Sequence, residues 1–252
     1  MPEGPSIFIA KDAIRPLIKG KKVTAVRGNS KIEMNKLIGL KITDVRSWGK
    51  HLLLCFPSIT VRIHFLMFGS YNVDKHIKPD RSLRMALTAG DHTIFFYTCS
   101  IRILEGHVDD LYSWENDLLS KEWNAIKAKK KLKELPNAFA CDVILNQEIF
   151  AGAGNIFKNE VLYRIKVHPE TRIKNLPARK LSELVKETHQ YAYDFLKWKK
   201  AYVLRKNWLA HTKRTCLRCD LKLIKKYCGK TKRRTFFCTS CQVKYGPPKN
   251  SN

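Results

Sequence analysis

Two closely spaced pairs of cysteines lie near the carboxyl end of the chain, within CLRCDLKLIKKYCGKTKRRTFFCTSC at residues 216–241. Cys216 and Cys219 form the first C-x-x-C pair and Cys238 and Cys241 form the second, with residues 220–237 between them. This spacing is typical of a β-hairpin that holds four thiolates around one Zn²⁺ ion. A segment this short cannot build a hydrophobic core alone, and metal binding supplies folding free energy. The sequence therefore predicts a zinc finger at residues 212–252, with one structural Zn²⁺ per chain.

Redox-active dithiols and a chance arrangement are the alternative interpretations of these pairs. The chain has eight cysteines, and the four outside the pairs are scattered, at Cys55, Cys99, Cys141 and Cys228. In an intracellular protein, pairs at this spacing indicate metal ligands more often than disulfides. The segment between the pairs also carries a cationic cluster suited to phosphate, at Lys230, Lys232, Arg233 and Arg234.

The chain carries a large excess of positive charge. Its 252 residues include 48 Lys and Arg against 22 Asp and Glu, a formal net charge of +26. Residues 197–252 hold 17 of these basic residues, with Asp220 as the only acid. Self-repulsion on this scale favours a polyanionic partner, and nucleic acid is the expected one. An anionic membrane surface is the weaker alternative, because no basic amphipathic helix with a broad apolar face occurs.

The sequence contains no apolar run long enough to span a bilayer, and its first residues include Glu3, Lys11 and Asp12 instead of a signal-peptide pattern. The hydrophobic fraction of 44% is typical of a globular protein. These features predict an intracellular protein that is not secreted, located in a bacterial or viral-host cytoplasm or in a nucleus.

The periodicity of apolar residues changes twice along the chain. Residues 5–19 have helical spacing, with Gly20 placed to end the helix and Pro16 expected to kink it or end it early. Residues 22–104 alternate, which predicts an antiparallel β-sandwich or barrel in which LRMALTA places Leu83, Met85 and Leu87 on one face. After residue 110 the spacing is helical again, and one long helix has an apolar stripe at Leu181, Leu184, Val185, Thr188, Ala192 and Phe195.

Three short motifs are candidates for chemistry, and each has a purely structural alternative. In FAGAGNIFKNE, Gly152 and Gly154 lead into a helix that begins near Asn155; this is either an anion site of backbone N–H groups or a plain tight turn. In RSWGKHLLL, Lys50 lies at a predicted hairpin turn, where a solvated lysine is the simpler interpretation. In HFLMFGSY, the apolar run Leu66, Met67 and Phe68 is either ordinary core or a wedge that fills the space left by an extruded base.

The opening MPEGPSIF is the fourth candidate. Proline and a nearby carboxylate suit the first turn of a helix, which is the structural interpretation. If the initiator Met is removed, the chain begins with Pro2, whose α-amine is then a free secondary amine beside the Glu3 carboxylate. The first residues alone favour the structural interpretation.

Taken in order, the motifs resemble the formamidopyrimidine-DNA glycosylase/endonuclease VIII family of base-excision-repair enzymes. PEGP at 2–5, GKHLL at 49–53, the glycine–Asn turn at 152–155 and RRTFFCTSCQ at 233–242 lie where that family has its corresponding motifs. The likeness covers nearly the whole chain. It implies an α+β multidomain fold: an N-terminal catalytic antiparallel β-sandwich at 1–112, a helix-two-turns-helix DNA-binding domain at 113–211 and a C-terminal β-hairpin zinc finger at 212–252.

The resemblance also implies roles for individual residues. Pro2 attacks the sugar C1′ of a damaged nucleotide and forms a Schiff base, and Glu3 donates a proton to the sugar. Lys50 and Arg233 contact phosphate at the catalytic site, and Asn155 holds a neighbouring phosphate beside Gly154. Zn²⁺ is held by the two cysteine pairs and is structural. The implied partner is damaged DNA, duplex or single-stranded, bound by a monomer.

Within that family the chain looks closer to the endonuclease VIII branch. PEGP is the usual opening of that branch, and TIFFYTCSIRI lacks the Asp-Pro-Arg-Arg-Phe stretch of the other. Three departures occur: Ser6 replaces a second glutamate, Leu66 stands at a position that is often polar, and Glu115-Asn116-Asp117 replaces Gly-Pro-Asp.

The implied activity is that of a bifunctional DNA glycosylase/AP lyase that excises oxidised bases, mainly pyrimidines, and cuts the strand by β,δ-elimination. The alternative is a catalytically weak or silent module that binds damaged or single-stranded DNA through the same basic surface. The presence of Pro2, Glu3 and Lys50 favours the enzyme. A zinc-finger transcription factor is excluded as the main interpretation, because one finger without a recognition helix leaves over 200 residues unexplained.

Overall fold

The structure is a computed structural model, and it describes residues 2–246. The chain divides into two compact units, one ending at Trp114 and the other beginning at Glu115. Each unit has its own buried core. The three-domain division at 112 and 211 stays a prediction.

The first unit begins with a helix and continues as strands. Helix α1 spans Gly4–Ile18, so the chain stays helical for two residues past Pro16. The eight strands that follow are β1 Val23–Arg27, β2 Asp44–Trp48, β3 His51–Cys55, β4 Ile59–His64, β5 Ser70–Val73, β6 Leu83–Ala89, β7 His92–Tyr97 and β8 Ser100–Glu105. A short helix, α2 Val108–Leu111, ends this part of the chain.

These strands form two antiparallel four-stranded sheets, in the orders β1-β6-β7-β5 and β2-β3-β4-β8. Apolar side chains from both sheets and from α1 form a single buried cluster, which includes Ile7, Ile14, Leu52, Leu54, Val61, Ile63, Leu87 and Phe96. Alternating apolar residues place one face of each sheet in this core, as the sequence pattern requires. The predicted sandwich is confirmed.

One strand departs from the predicted alternation. Leu83 was predicted on the same face as Met85 and Leu87, and this is wrong. In the β6–β7 pairing, Leu83 lies opposite Tyr97 while Met85 lies opposite the adjacent Phe96, so β6 contains an extra residue at this point. A bulge of this kind reverses the direction of the side chains before it. Leu83 therefore packs in a separate cluster with Ala86, Phe95 and Tyr97.

The second unit is helical and ends in a hairpin. Its helices are α3 Ala125–Lys133, α4 Ala140–Val143, α5 Asn155–Arg164 and α6 Ala178–Lys200, and its strands are β9 Ile224–Cys228 and β10 Arg233–Phe237. All six residues of the stripe predicted for α6 are buried, together with Tyr191. Strands β9 and β10 pair in antiparallel register between the two cysteine pairs, which confirms the predicted hairpin.

None of the helices within residues 2–246 is both long and apolar enough to cross a membrane.

The turn after β4 depends on Gly69. A Cβ atom at this position would overlap the carbonyl oxygen of Phe65, which accepts a hydrogen bond of 2.7 Å from the Gly69 N–H. We expect Gly69→Ala to lower the free energy of unfolding by about 2–3 kcal/mol, because main-chain atoms must move to relieve the overlap. The measurement is urea denaturation of the purified protein.

Gly39→Ala is the matched control, because Gly39 has φ of 82° and no atom within 4 Å of an added Cβ. This change adds conformational strain without overlap and should cost about 1 kcal/mol. A larger loss for Gly39→Ala than for Gly69→Ala would contradict the steric argument.

Candidate nucleic-acid interface and metal centre

The first candidate residues lie at the beginning of α1. Glu3 is the N-cap residue of the helix and is only 2% exposed, and its carbonyl oxygen accepts the Ser6 N–H at 2.8 Å. Pro2 precedes it and is half-buried. The structure thus keeps the Pro2 ring and the Glu3 side chain adjacent and partly shielded from water.

Lys50 lies in the loop of the predicted hairpin. Trp48 and His51 pair across β2 and β3, which leaves Gly49 and Lys50 as a two-residue loop. Gly49 has φ of 52°, the conformation that the first position of a type II′ turn requires. Lys50 is half-buried in the structure and is not a fully solvated lysine.

Two neutral histidines lie beside this turn, on paired positions of β3 and β4. Burial, followed by the positive charges of Arg62, His64 and Lys50, lowers the pKa of His51 to about 3. Burial, followed by Lys50 and Arg62, also lowers the pKa of His64. Both rings are therefore uncharged at neutral pH. The cations beside them provide a positive potential that suits a phosphate group.

The apolar run Leu66, Met67 and Phe68 forms an exposed turn between β4 and β5. The three side chains are 47%, 60% and 76% exposed, so they are not core residues. Leu66 has φ of 52°, and its N–H donates to His64 Nδ1 at 3.0 Å. This conformation is strained for a non-glycine residue, and strain of this kind is concentrated at functional sites.

The glycine turn before α5 offers fewer free N–H groups than the sequence indicated. Gly152 donates its N–H to Gln147 Oε1 at 3.1 Å, and the Ala153 N–H donates to the Phe150 carbonyl oxygen at 3.0 Å. Gly154 is the N-cap of α5, which begins at Asn155 as predicted. An anion at this turn therefore cannot use the N–H groups of residues 152 and 153 without displacing these bonds.

Helix α5 holds the hairpin through polar side chains on one face. Asn155 Nδ2 donates to the Arg234 carbonyl oxygen at 3.0 Å, and Asn159 Oδ1 accepts the Phe236 N–H at 3.0 Å. Asn155 Oδ1 is buried and has no hydrogen-bond partner among the described residues. The sequence predicts that Asn155 binds a phosphate. In the structure its amide nitrogen donates a hydrogen bond to the strand that carries Arg233.

Lys158 is the central residue of this contact, and it is fully buried. Its Nζ donates to the carbonyl oxygens of Arg233 and Arg234 at 3.4 and 3.1 Å and to Thr235 Oγ1 at 2.8 Å. Three acceptors match the three protons of an ammonium group. Burial lowers the pKa of Lys158 to about 8, against partly compensating negative groups nearby. Arg233 itself is exposed.

The turn of the hairpin is held by a carboxylate. Asp142, in α4, accepts the N–H groups of Lys230 and Thr231 at 2.8 and 3.1 Å and the Thr231 hydroxyl at 2.8 Å. Gly229 has φ of 73°, and an added Cβ there would lie against this carboxylate. Asp142 thus fixes the turn that leads into β10, and Lys158 fixes the strand itself.

The four cysteines of the two pairs lie together. Their Sγ atoms are all within 4.8 Å of one another, and those of Cys216 and Cys241 are 3.7 Å apart. A tetrahedral site with metal–sulfur bonds of about 2.3 Å requires sulfur–sulfur separations of about 3.8 Å, so the cluster fits a single ion. Tyr163 Oη lies 3.3 Å from Cys216 Sγ, and the Cys238 N–H donates to Gln242 Oε1 at 2.9 Å. The first contact holds the Cys216 thiol, and the second holds the main chain at Cys238.

The sequence analysis names Asn155 only as a phosphate-binding residue and does not single out Lys158, Asn159 or Asp142, which also position the hairpin. Asn155, Lys158 and Asn159 are spaced to lie on one face of a helix, and this polar face in a buried helix was a usable signal. Asp142 had no such signal, because its partners are almost 90 residues away in the chain. In the first unit, the pairing of His51 with His64 places the turn of Lys50 beside the strand end that leads to Leu66. In the second unit, Asn155 contacts the strand that carries Arg233.

Comparisons with known proteins identify two domain types in the chain. The profile of the formamidopyrimidine-DNA glycosylase N-terminal domain matches residues 1–102, and that of the formamidopyrimidine-DNA glycosylase H2TH domain matches residues 116–201. Endonuclease 8 of Shigella flexneri is 31% identical over 198 residues, which cover 73% of this chain and 75% of that protein.

Endonuclease 8-like 3 of Mus musculus is 27% identical over 96% of this chain but only 46% of its own length, so the chain spans less than half of that relative. In fold, the chain is similar to Lactococcus lactis formamidopyrimidine-DNA glycosylase bound non-covalently to DNA containing an AP site. The TM-score is 0.82, the identity is 18%, and the match covers 96% of this chain and 100% of that one.

Replacing Lys158 should destabilise the second unit. Lys158→Met keeps the length of the side chain but leaves two carbonyl oxygens and a hydroxyl without their donor. We expect the free energy of unfolding to fall by about 2–3 kcal/mol in urea denaturation. Lys226→Met is the control, since Lys226 is an exposed hairpin lysine whose loss should cost less than about 0.5 kcal/mol.

The pH dependence gives a second measurement. The pKa of Lys158 is about 8 in the folded chain, against 10.5 for a solvated lysine, so between these values the unfolded chain binds more protons. Wild-type stability should therefore rise with pH in this range relative to Lys158→Met, by at most about 1.4 kcal/mol per pH unit. A difference that stays constant or shrinks would show that Lys158 is not buried as described.

Proposed function

This chain belongs to the formamidopyrimidine-DNA glycosylase/endonuclease 8 family, and we propose that it is a bifunctional DNA glycosylase and AP lyase that removes oxidised bases, mainly pyrimidines, from DNA. The observation that carries the proposal is the half-buried Pro2 next to the buried Glu3 at the positive end of α1. An amine and an acid kept together at the first residues of the chain are the two groups that base removal with a covalent intermediate requires.

In the proposed reaction, removal of Met1 leaves Pro2 with a secondary amine. Its nitrogen bonds to C1′ of the damaged nucleotide as the bond between C1′ and the base breaks. The base leaves with the bonding electrons and takes up the proton that the Pro2 nitrogen loses. Glu3 donates a proton to the sugar ring oxygen as the ring opens. The product is an iminium (Schiff base) between Pro2 and C1′.

Strand cleavage follows from the same intermediate. The positive iminium acidifies the hydrogens on C2′, and loss of one expels the 3′ phosphate by β-elimination. A second elimination expels the 5′ phosphate, which makes the sequence a β,δ-elimination. Hydrolysis of the iminium then releases the sugar fragment and regenerates the amine. A secondary amine is suited to this chemistry because its iminium nitrogen carries no hydrogen. The iminium therefore cannot lose a proton from nitrogen and keeps its positive charge.

Pro2 is also the better nucleophile on acid–base grounds. Attack requires the neutral amine, and in water the ordinary pKa is about 8 for an α-amine and about 10.4 for a lysine side chain. At pH 7 roughly a tenth of the terminal amine is neutral, a few hundred times the neutral fraction of an ordinary lysine. Lys50 therefore serves as a cation that binds phosphate, in the positive surroundings of its turn, and not as the nucleophile.

The remaining predicted residues bind the DNA. Arg233, on the hairpin that Lys158 and Asp142 fix, and Asn155 with Gly154, at the start of α5, contact phosphates beside the lesion. Leu66, Met67 and Phe68 enter the duplex where the damaged nucleotide leaves the stack, which their exposure permits. The enzyme acts on DNA as a monomer.

The metal of the cysteine cluster is proposed to be Zn²⁺, because four thiolates in a tetrahedral arrangement are its typical structural site. Cys216, Cys219, Cys238 and Cys241 hold it. Bound there, it stabilises the short segment around the hairpin, and the residues of this chain carry out the steps above.

Borohydride trapping tests the nucleophile. We expect sodium borohydride to link the protein covalently to DNA with an abasic site, with the cross-link on the N-terminal peptide at Pro2, because reduction of an iminium gives a stable amine. A protein that retains Met1 should give no cross-link. The control is Lys50→Ala, which should still form the cross-link although it binds the DNA more weakly.

A cross-link on Lys50 with an unmodified Pro2 would overturn the assignment. Binding to abasic DNA without any incision or trapping would instead favour the silent DNA-binding module.

Loss of zinc should remove incision through loss of structure. We expect one zinc per chain by elemental analysis, and Cys238→Ser to lower both the zinc content and the incision of abasic DNA. Cys228→Ser is the matched control, because Cys228 is buried in the same hairpin but lies outside the cluster, and it should keep its zinc. A protein that incises abasic DNA but contains no zinc would contradict the prediction that incision requires the zinc-bound structure.

A further inference from the structure

The two adjacent arginines of β10 project from opposite faces of the hairpin, because successive side chains alternate along a strand. Arg233 shares its face with Thr235, whose hydroxyl binds the buried ammonium of Lys158. Arg234 shares the other face with Phe236, and the residues opposite them on β9 are Tyr227 and Lys225. This second face has no role in the proposed reaction.

The second face lines a groove of about 870 Å³. The groove lies between β10 and the segment that leads into the first cysteine pair, and we call it the basic groove. Its charged lining residues are Lys213, Arg214, Lys222, Lys225, Arg234 and Asp220. Five cations therefore surround one cavity that contains a single carboxylate. Its volume is within the range of ordinary ligand sites.

These cations have no ion-pair partners among residues 2–246, and Asp220 is not within salt-bridge distance of any of them. Lys226, which precedes Tyr227 on the other face of β9, differs from them because it lies 3.7 Å from Glu170. Five uncompensated positive charges repel one another, and the repulsion is relieved when a polyanion binds. The five positive charges thus indicate that the ligand of the groove is a polyanion with several consecutive negative groups.

An exposed aromatic ring lies next to these charges. Tyr227 is 61% exposed and pairs with Arg234 across the hairpin, so its side chain lies beside Arg234 on the face of the hairpin that lines the groove. A tyrosine beside cations is the combination that binds single-stranded nucleic acid, since the ring stacks on a base while the cations bind the backbone. Bases inside a duplex are stacked on each other and cannot stack on such a ring.

We propose that the basic groove, with Tyr227 at its edge, is a second DNA site that binds a single-stranded segment, separate from the phosphate contact of Arg233. The proposal rests on the proposed function only for the identity of the partner as DNA. The site extends the bound length of a substrate that has a single-stranded flank. It therefore sets a preference among DNA structures and leaves the chemistry unchanged.

The test compares two undamaged DNA probes, a blunt duplex and the same duplex with an oligothymidine tail of about 10 nucleotides. Fluorescence anisotropy gives the ratio of the two dissociation constants, and tails of both polarities are measured. We expect the wild type to bind the tailed probe more tightly. Tyr227→Ala should reduce this preference about fivefold or more, and Tyr227→Phe should retain it, because stacking requires the ring and not the hydroxyl.

Charge is tested by a matched pair of double variants. Lys222→Ala with Lys225→Ala should reduce the slope of log affinity against log salt for the tail by about 1.4, or about 0.7 for each lost contact to a single strand. Lys186→Ala with Lys197→Ala removes the same charge from exposed positions of α6 and should leave the preference for the tail as in wild type.

A wild type that binds both probes equally, or groove and α6 variants with equal effects, would overturn the proposal. Because the probes are undamaged, the result does not depend on catalysis. Incision of abasic DNA is assayed in parallel. A protein that prefers the tail but makes no incision would contradict the proposed enzyme and support the groove.

Discussion

The second unit depends on one buried ammonium group. Lys158 has lost all contact with water, and only the hairpin supplies the three acceptors that compensate for this loss. Removal of the hairpin would leave the Lys158 ammonium without these three acceptors. Displacement of the hairpin would break the same three hydrogen bonds. A strand held by its main-chain atoms keeps its side chains free, so Arg233 and Arg234 are fixed in position and remain exposed.

In the first unit, a neutral histidine, His64, holds an exposed turn through a main-chain hydrogen bond. His64 accepts a main-chain N–H from the turn of Leu66, Met67 and Phe68, and this requires a ring nitrogen without a proton. Burial, followed by the nearby cations, lowers the pKa of both His51 and His64, so the two rings stay neutral. The cations that provide a positive potential for phosphate therefore also help to keep His64 neutral, and neutral His64 holds the turn at Leu66.

Features that depend on neighbouring residues were predictable from the sequence. The apolar stripe of α6, the start of α5 at Asn155 and the two-residue turn at Gly49 each follow from spacing or from the conformation of glycine. The cysteine spacing predicted the hairpin and the cluster for the same reason. The family resemblance, carried by four short motifs, is confirmed by the matches to both domains.

Features that depend on distant residues were not predictable. The bulge at Leu83 arises from the pairing of β6 with β7, and no local pattern shows where a pairing shifts. The partners of Lys158 follow it by 75–77 residues, so the sequence shows the polar face of α5 but not what that face binds. The bond from the Asn155 amide to the Arg234 carbonyl oxygen could not be predicted, because this main-chain acceptor lies 79 residues later in the chain.

The same separation has a consequence for the order in which the chain acquires its structure. Helix α5 leaves the ribosome long before β10, and until then Lys158 must remain hydrated. Glu160, two residues after Lys158, accepts the N–H groups of Leu209, Ala210 and His211, which follow about 50 residues later. Contacts of such length form slowly because a long loop must close first. The two buried charges of α5 are thus fully paired only after residues 209–235 have been synthesised.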